Sequence, residues 1–273
     1  MRSFRRQIAA VLVPVLMAGC QTATASQGAP ALATASPQAV SAPSSAASPA
    51  RGPFVAAANP LAVEAGMTVL RRGGSAVDAA VAIQAVLGLV EPQSSGLGGG
   101  AFLMSYDAET GTVTAYDGRE TAPASATPEL FYEDGKPLPF IDAVLSGRST
   151  GAPGAVAMLA MAQKDHGKLA WRDLFGDAER LARDGFTVSP RLAGMINGRS
   201  PQARTRWASA YFTKPDGTRY QAGDTLKNPA YADTVARLAQ QGPAVVYGGP
   251  IGRDIAAAVR EGPRPGGLTE ADI

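Results

Sequence analysis

The chain alternates between long apolar stretches and short polar breaks, and the spacing of each stretch predicts its element. In "NPLAVEAGMTVLRRGGSAVDAAVAIQAVLGLVEPQ" (59–93) the pattern predicts two helices joined by a tight corner. Asn59 can cap the first helix, and Pro60 suits its first position because the N–H there would be unpaired anyway. Gly73 and Gly74 can end it in a left-handed conformation. Ser75 then caps the second helix, with Asp78 three residues on, where a carboxylate also meets the positive end of the helix. From Ala76 to Val90 almost every position around the helical wheel is apolar, so this helix is expected to be buried on all sides. It stops before Pro92, with Glu91 at the turn.

Two short strands follow, "GAFLMSY" and "TVTAYDG", linked by "DAETG". Further on, "TPELFYEDGKPL", "WRDLFGDAERLARDGFTVSP" and "NPAYADTVARLAQQGPAVVYGGPIGRDIAAAVREG" read as helical with glycine or proline punctuation. Leu174, Ala178, Leu181 and Ala182 share one face at helical spacing. Helices packed on strands at this density imply an α/β or α+β sandwich.

The N-terminus departs from this pattern. A basic start with Arg2, Arg5 and Arg6 leads into an apolar run from Ile8 to Ala18, the layout of an export signal. That run is about half the ~20 apolar residues a membrane-crossing helix needs. It ends in "LMAGC", which resembles the lipobox of bacterial lipoproteins and implies lipidation of Cys20, with Met17 where leucine is more usual. Ordinary cleavage near the following Ala-Thr-Ala stretch, discarding Cys20, is the alternative; either route exports the protein. Residues 21–53 are nearly all Ala, Ser, Pro, Thr and Gln with one charge at Arg51, too little apolar surface to offset ordering entropy. As a flexible tether they would span about 30 Å. The expected organisation is therefore a signal peptide over 1–20, a tether over 21–53 and a folded part over 54–273.

Composition narrows the chemistry. Once the signal is removed, 22 basic residues face 23 acidic ones, a net charge of −1, which offers no basic face for nucleic acid. One cysteine and one histidine, His166, leave nothing for a disulfide framework or a histidine- or cysteine-based metal centre, and no cofactor is implied. His166, in "QKDHGKLAW", reads as a solvated helix end. The glycines of "SGLGGGAFLM" lead into a strand, whereas a phosphate loop leads into a helix. Gly96, Gly98, Gly99 and Gly100 are expected instead to give unusual backbone angles or close approach. Spacing alone favours pairing of Arg119 with Glu120 or another surface acid.

Longer motifs carry more. "NPLAVEAGMTVLRRGGSAVDAAVAIQAVLGLVEPQSSGLGGGAFLM", "YDGRETAPASATPELF", "STGAPGAVAML", "ARDGFTVSP", "AGDTLKNPAYADTVARLAQQGPAVVYGGPIGRDIA" and "GGLTEADI" closely resemble, in order from Asn59 to Ile273, successive blocks of the large subunit of γ-glutamyltransferases. The resemblance implies an N-terminal-nucleophile hydrolase with an αββα sandwich, incomplete in this chain, made as a precursor that cleaves itself into large and small subunits. Its N-terminal threonine attacks the γ-glutamyl amide, and the acyl group passes to water or to an amino acid or peptide. A free α-amine beside its own hydroxyl can serve as the base, so a lone histidine is no obstacle. By its place in "DGRETAP", Arg119 matches the family arginine that binds the α-carboxylate of the γ-glutamyl group. A planar, permanently charged guanidinium suits that task through two parallel hydrogen bonds.

The family nucleophile opens a Thr-Thr dipeptide, and these 273 residues contain none. No catalytic residue is therefore expected in this chain, which is expected to be inactive alone. Its implied partners are glutathione or other γ-glutamyl compounds, its own small subunit after self-cleavage, and a membrane through Cys20. A related acylase, of the cephalosporin acylase or poly-γ-glutamate depolymerase type, and a non-catalytic binding lipoprotein are the alternatives.

Overall fold

The computed structural model describes residues 52–273. The signal and Cys20 expectations, and the tether apart from Gly52 and Pro53, lie outside the described residues. Helix α1 (Pro60–Arg71) begins as its sequence dictates: the Asn59 side chain accepts the Leu61 N–H, and Pro60 takes the first position. It ends at the expected corner, where Gly73 has φ +84°. Helix α2 (Ala76–Val90) starts in a capping box, Ser75 Oγ accepting the Asp78 N–H while the Asp78 carboxylate accepts the Ser75 N–H. Only Ala76 of α2 is exposed, while the stripe of Ala80, Ile83, Gln84, Leu87 and Gly88 is half-buried, so the helix is covered but not buried on every side.

The chain then forms the antiparallel hairpin β1 (Ala101–Asp107) and β2 (Thr112–Gly118), in register from Ala101 opposite Gly118 to Asp107 opposite Thr112. A second, two-residue hairpin pairs β3 (Tyr132–Glu133) with β4 (Lys136–Pro137), followed by the short α3 (Phe140–Val144). The helices α4 (Ala155–His166) and α5 (Gly176–Asp184) come next. Strand β5 (Phe186–Thr187) precedes α6 (Pro190–Asn197) and α7 (Arg206–Tyr211). Strand β6 (Thr225–Leu226) pairs back with β5, and α8 (Pro229–Gln241) and α9 (Pro250–Val259) complete the described elements.

One core joins these elements. Val81, Val86 and Leu89 of α2, Val156 and Leu159 of α4, Leu181 of α5 and Val235 and Leu238 of α8 are all buried in it. Each such side chain contributes roughly 1.5–3 kcal/mol by leaving water. The predicted face of Leu174, Ala178, Leu181 and Ala182 is buried as expected.

The architecture is mixed α/β, with helix α4 packed on one face of the β1–β2 hairpin. The other face shows Phe102, Met104, Tyr106 and Val113 to solvent, with Met104 74% exposed. That is one strand layer of the expected sandwich with nothing of the described residues upon it.

Two expectations are corrected. "TPELFYEDGKPL" is not a helix: Asp134 (φ 51°) and Gly135 (φ 72°) turn the chain through left-handed conformations between β3 and β4. The Asp-Gly pair is the turn chemistry of a tight hairpin and outweighs the local helical spacing. His166 ends α4 as expected, but it is half-buried and not solvated, because strand β2 brings Tyr116 against it.

Candidate active site: the Arg119 segment and its glycine-walled cleft

Arg119 directly follows β2, and its backbone N–H donates to the Asp117 carboxylate at 2.9 Å. The next residues lie against the turn before α4, with Thr121 and Ala152 exchanging backbone hydrogen bonds at 2.9 and 3.3 Å. Two of the sequence blocks, "YDGRETAP" and "STGAPGAVAML", are thus neighbours in space. Glycine permits the approach. A methyl group on Gly154 would fall onto the Gly118 carbonyl oxygen and within 2.6 Å of the Arg119 carbonyl oxygen. One on Gly151 would lie 2.6 Å from the Thr121 carbonyl oxygen.

The start of α4 is fixed from its other side. The Tyr247 hydroxyl donates to the Pro153 carbonyl at 2.7 Å and accepts the Ala157 N–H at 3.0 Å. It thereby pairs one of the amides that a helix leaves open in its first turn. Burial raises the pKa of this tyrosine, and the Ala157 N–H offsets part of the rise.

Glu120 lines a cleft of about 570 Å³ whose opposite wall is the loop from Pro92 to Gly100. The glycines there do not adopt left-handed angles, contrary to one of the two expectations. Close approach is what they provide: a side chain on Gly100 would meet the Glu120 carboxylate and lie 2.9 Å from its backbone nitrogen. The loop continues into β1, not into a helix, so it presents no helix N-terminus to a phosphate. A wider cavity of about 700 Å³ beside Trp207 and Phe212 is lined without a charged side chain, so it has no cation to pair with a carboxylate.

Arg119 points its guanidinium at Glu120, with Nη1 3.3 Å from Oε2 and the side chain 61% exposed. The pairing that spacing alone favoured is therefore present. An exposed pair of this kind is worth no more than ~1 kcal/mol, so it does not lock the guanidinium against a second carboxylate.

Two acids that the sequence reading treated as local are more than that. Asp78 is fully buried and accepts hydrogen bonds from the backbone of Ser75, Lys168 and Leu169 and from the Gln163 side chain. Burial alone would raise its pKa; the hydrogen bonds together outweigh it and leave the value below 3.8. Glu91, 1% exposed, accepts from Asn59, Gln93 and Arg191. No local signal marked Arg191, because it reaches Glu91 from 100 residues away. At the far end of α4, the Tyr116 hydroxyl lies 2.8 Å from Asp165 Oδ2 and 2.9 Å from His166 Nε2. The phenol donates its one proton to Asp165, and His166 Nε2 lies against the same oxygen. Burial first, and then Asp165, raises the phenol's pKa.

The sequence profile of the gamma-glutamyltranspeptidase family matches residues 62–273. The chain belongs to this family. The glutathione hydrolase proenzyme of Bacillus subtilis (strain 168) is 38% identical over 221 residues, an alignment covering 81% of this chain and 37% of that protein. The corresponding proenzyme of Escherichia coli (strain K12) is 34% identical over 223 residues, covering 81% and 38%. Among solved structures, the gamma-glutamyltranspeptidase of Helicobacter pylori superposes with a TM-score of 0.74 at 30% identity, over 81% of this chain and 62% of that one. The cephalosporin acylase from Bacillus halodurans, at 24% identity and a TM-score of 0.61, shares the fold. The chain thus spans a little over a third of the length of these two glutathione hydrolase proenzymes, matching their N-terminal portion.

Proposed function

We propose that the full-length protein is a γ-glutamyl acyltransferase and hydrolase acting on glutathione or other γ-glutamyl amides. The observation that carries this is the Arg119 segment, held between the glycine loop and the α4 turn in a family whose relatives are named glutathione hydrolases. Arg119 takes the α-carboxylate through two parallel N–H···O bonds, the geometry a guanidinium offers a carboxylate. Glu120, beside it on the cleft wall, presents the opposite charge to the α-ammonium of the same amino-acid end. A γ-glutamyl group held by that end leaves its γ-carbonyl three carbons away, free to meet a nucleophile.

The nucleophile is an N-terminal threonine supplied by a part of the protein outside these residues. Its hydroxyl oxygen bonds to the γ-carbonyl carbon, its proton passes by way of the α-amine to the leaving nitrogen, and the C–N bond breaks. Water or an amine then takes the acyl group and restores the hydroxyl. These 273 residues alone do not turn over substrate. The same reading exports the protein and anchors it through a lipid on Cys20, with residues 21–53 as the spacer. Purified full-length protein should self-cleave into two subunits and release aniline from a γ-glutamyl anilide. Protein that stays in one piece and releases none would sink the assignment.

A further inference from the structure

We propose that Arg191 and Glu91 form a positioning pair that sets the glycine-loop wall of the substrate cleft; this rests on the γ-glutamyl reading above. Neither residue lines the cleft, but Gln93 and Ser94 do. The buried Glu91 carboxylate gathers three partners from three parts of the chain. Asn59, the cap of α1, donates at 2.9 Å; Gln93 of the loop donates at 2.6 Å; Arg191 of α6 donates from Nη1 at 2.5 Å. The same Nη1 lies 3.3 Å from Ser94 Oγ, so one guanidinium spans both the root of the loop and its third residue beyond. The Glu91 carbonyl accepts the Ser94 and Ser95 N–H groups, and Gln84 and Ala155 hold the Gly96 and Gly99 carbonyls. The first half of the loop therefore depends on a side chain that α6 contributes, while the second half is held by α2 and α4.

The loop in turn sets the room for Glu120, which packs on Gly100 beside Arg119. Losing the pair would let the wall drift and misplace the amino-acid end of the substrate without removing any group that touches it. Such a change acts on binding more than on chemistry.

The test uses the full-length protein with Arg191→Met, Arg191→Lys and Glu91→Gln. Arg191→Met should raise KM for a γ-glutamyl anilide about tenfold with kcat changed less than about twofold. Arg191→Lys, which keeps the charge, should restore part of the loss. Glu91→Gln keeps the side-chain shape and stays informative if Arg191→Met fails to accumulate; combined with it, the double variant should be no worse than the worse single one. Hydrogen exchange of the loop amides between 93 and 98 should quicken in Arg191→Met. Unchanged KM with unchanged exchange would overturn the pair, as would a fall in kcat and melting temperature at constant KM, the mark of a merely structural role. A wild-type protein without γ-glutamyl turnover would sink the functional reading and the KM claim with it, while loop exchange would still decide whether the pair holds the loop.

Discussion

Replacing Asp78 should be among the most destabilising single changes in the chain, and its cost can be worked out from the partners it would abandon. Oδ2 accepts three backbone N–H groups, from Ser75 at 2.9 Å, Lys168 at 2.8 Å and Leu169 at 3.1 Å, and Oδ1 accepts Gln163 Nε2 at 3.3 Å. The carboxylate thus ties the α1–α2 corner to the segment that follows α4. Hydrogen bonds to a charged acceptor contribute about 1.5–3 kcal/mol each, and a buried donor left unpaired costs about 1–3 kcal/mol. Water can reach some of the freed amides, so Asp78→Ala should cost about 4 kcal/mol, near the low end of that range. Asp78→Asn keeps one oxygen for the three amides but turns an NH2 toward Gln163, whose own NH2 is committed to the Leu169 carbonyl at 2.9 Å. Loss of charge assistance and that donor–donor clash together should cost about 2 kcal/mol.

The pH dependence has a definite sign. The folded pKa of Asp78 lies below its ordinary 3.8, so the folded state favours the ionised form. Its stabilising share is complete well above 3.8 and is lost as pH falls through 3.8 toward the folded value. Urea unfolding of full-length wild type, Asp78→Asn and Asp78→Ala, followed by circular dichroism at pH 7 and pH 3.5, reads both effects. The order wild type, Asn, Ala is expected at pH 7, with the gap between wild type and Asn narrowing at pH 3.5. An Asn variant as stable as wild type at pH 7 would refute the charge-assisted account.

Gly154→Ala should force the Arg119 carbonyl away and lower kcat/KM for γ-glutamyl anilides at least about tenfold, with melting also lowered, since backbone cannot yield as a flexible side chain can; wild-type kinetics would show that the passage is looser than described. Met104→Asp, on the exposed apolar face of β1, should prevent accumulation of folded full-length protein, because that face is expected to be covered by the remainder of the sandwich. Normal yield and melting in Met104→Asp would mean that the face stays in water.

Local chemistry made the helical layer legible. The caps at Asn59 and Ser75, the stop at Gly73 and the all-apolar wheel of α2 each involve residues within a few positions of one another, so they could be read directly from the string. Helical spacing in "TPELFYEDGKPL" masks the β3–β4 hairpin, although Asp134-Gly135 is the signal of its turn. What could not be read locally was pairing across the chain. Glu91 finds Arg191 100 residues on, and Tyr116 finds His166 50 residues on; both depend on how α6 and α4 pack, which no short window encodes. Arg119 stood out only through the motif around it, and the structure adds what that motif does mechanically: its glycines let β2 and α4 touch.

The central claim is that Arg119 holds an α-carboxylate. The most direct measurement compares, in full-length wild type and Arg119→Met, the kcat/KM for a γ-glutamyl anilide with that for the same anilide lacking the α-carboxylate. Wild type should prefer the carboxylate-bearing substrate, and Arg119→Met should lose most of that preference. A preference that survives in Arg119→Met undiminished would place the carboxylate elsewhere and contradict the account.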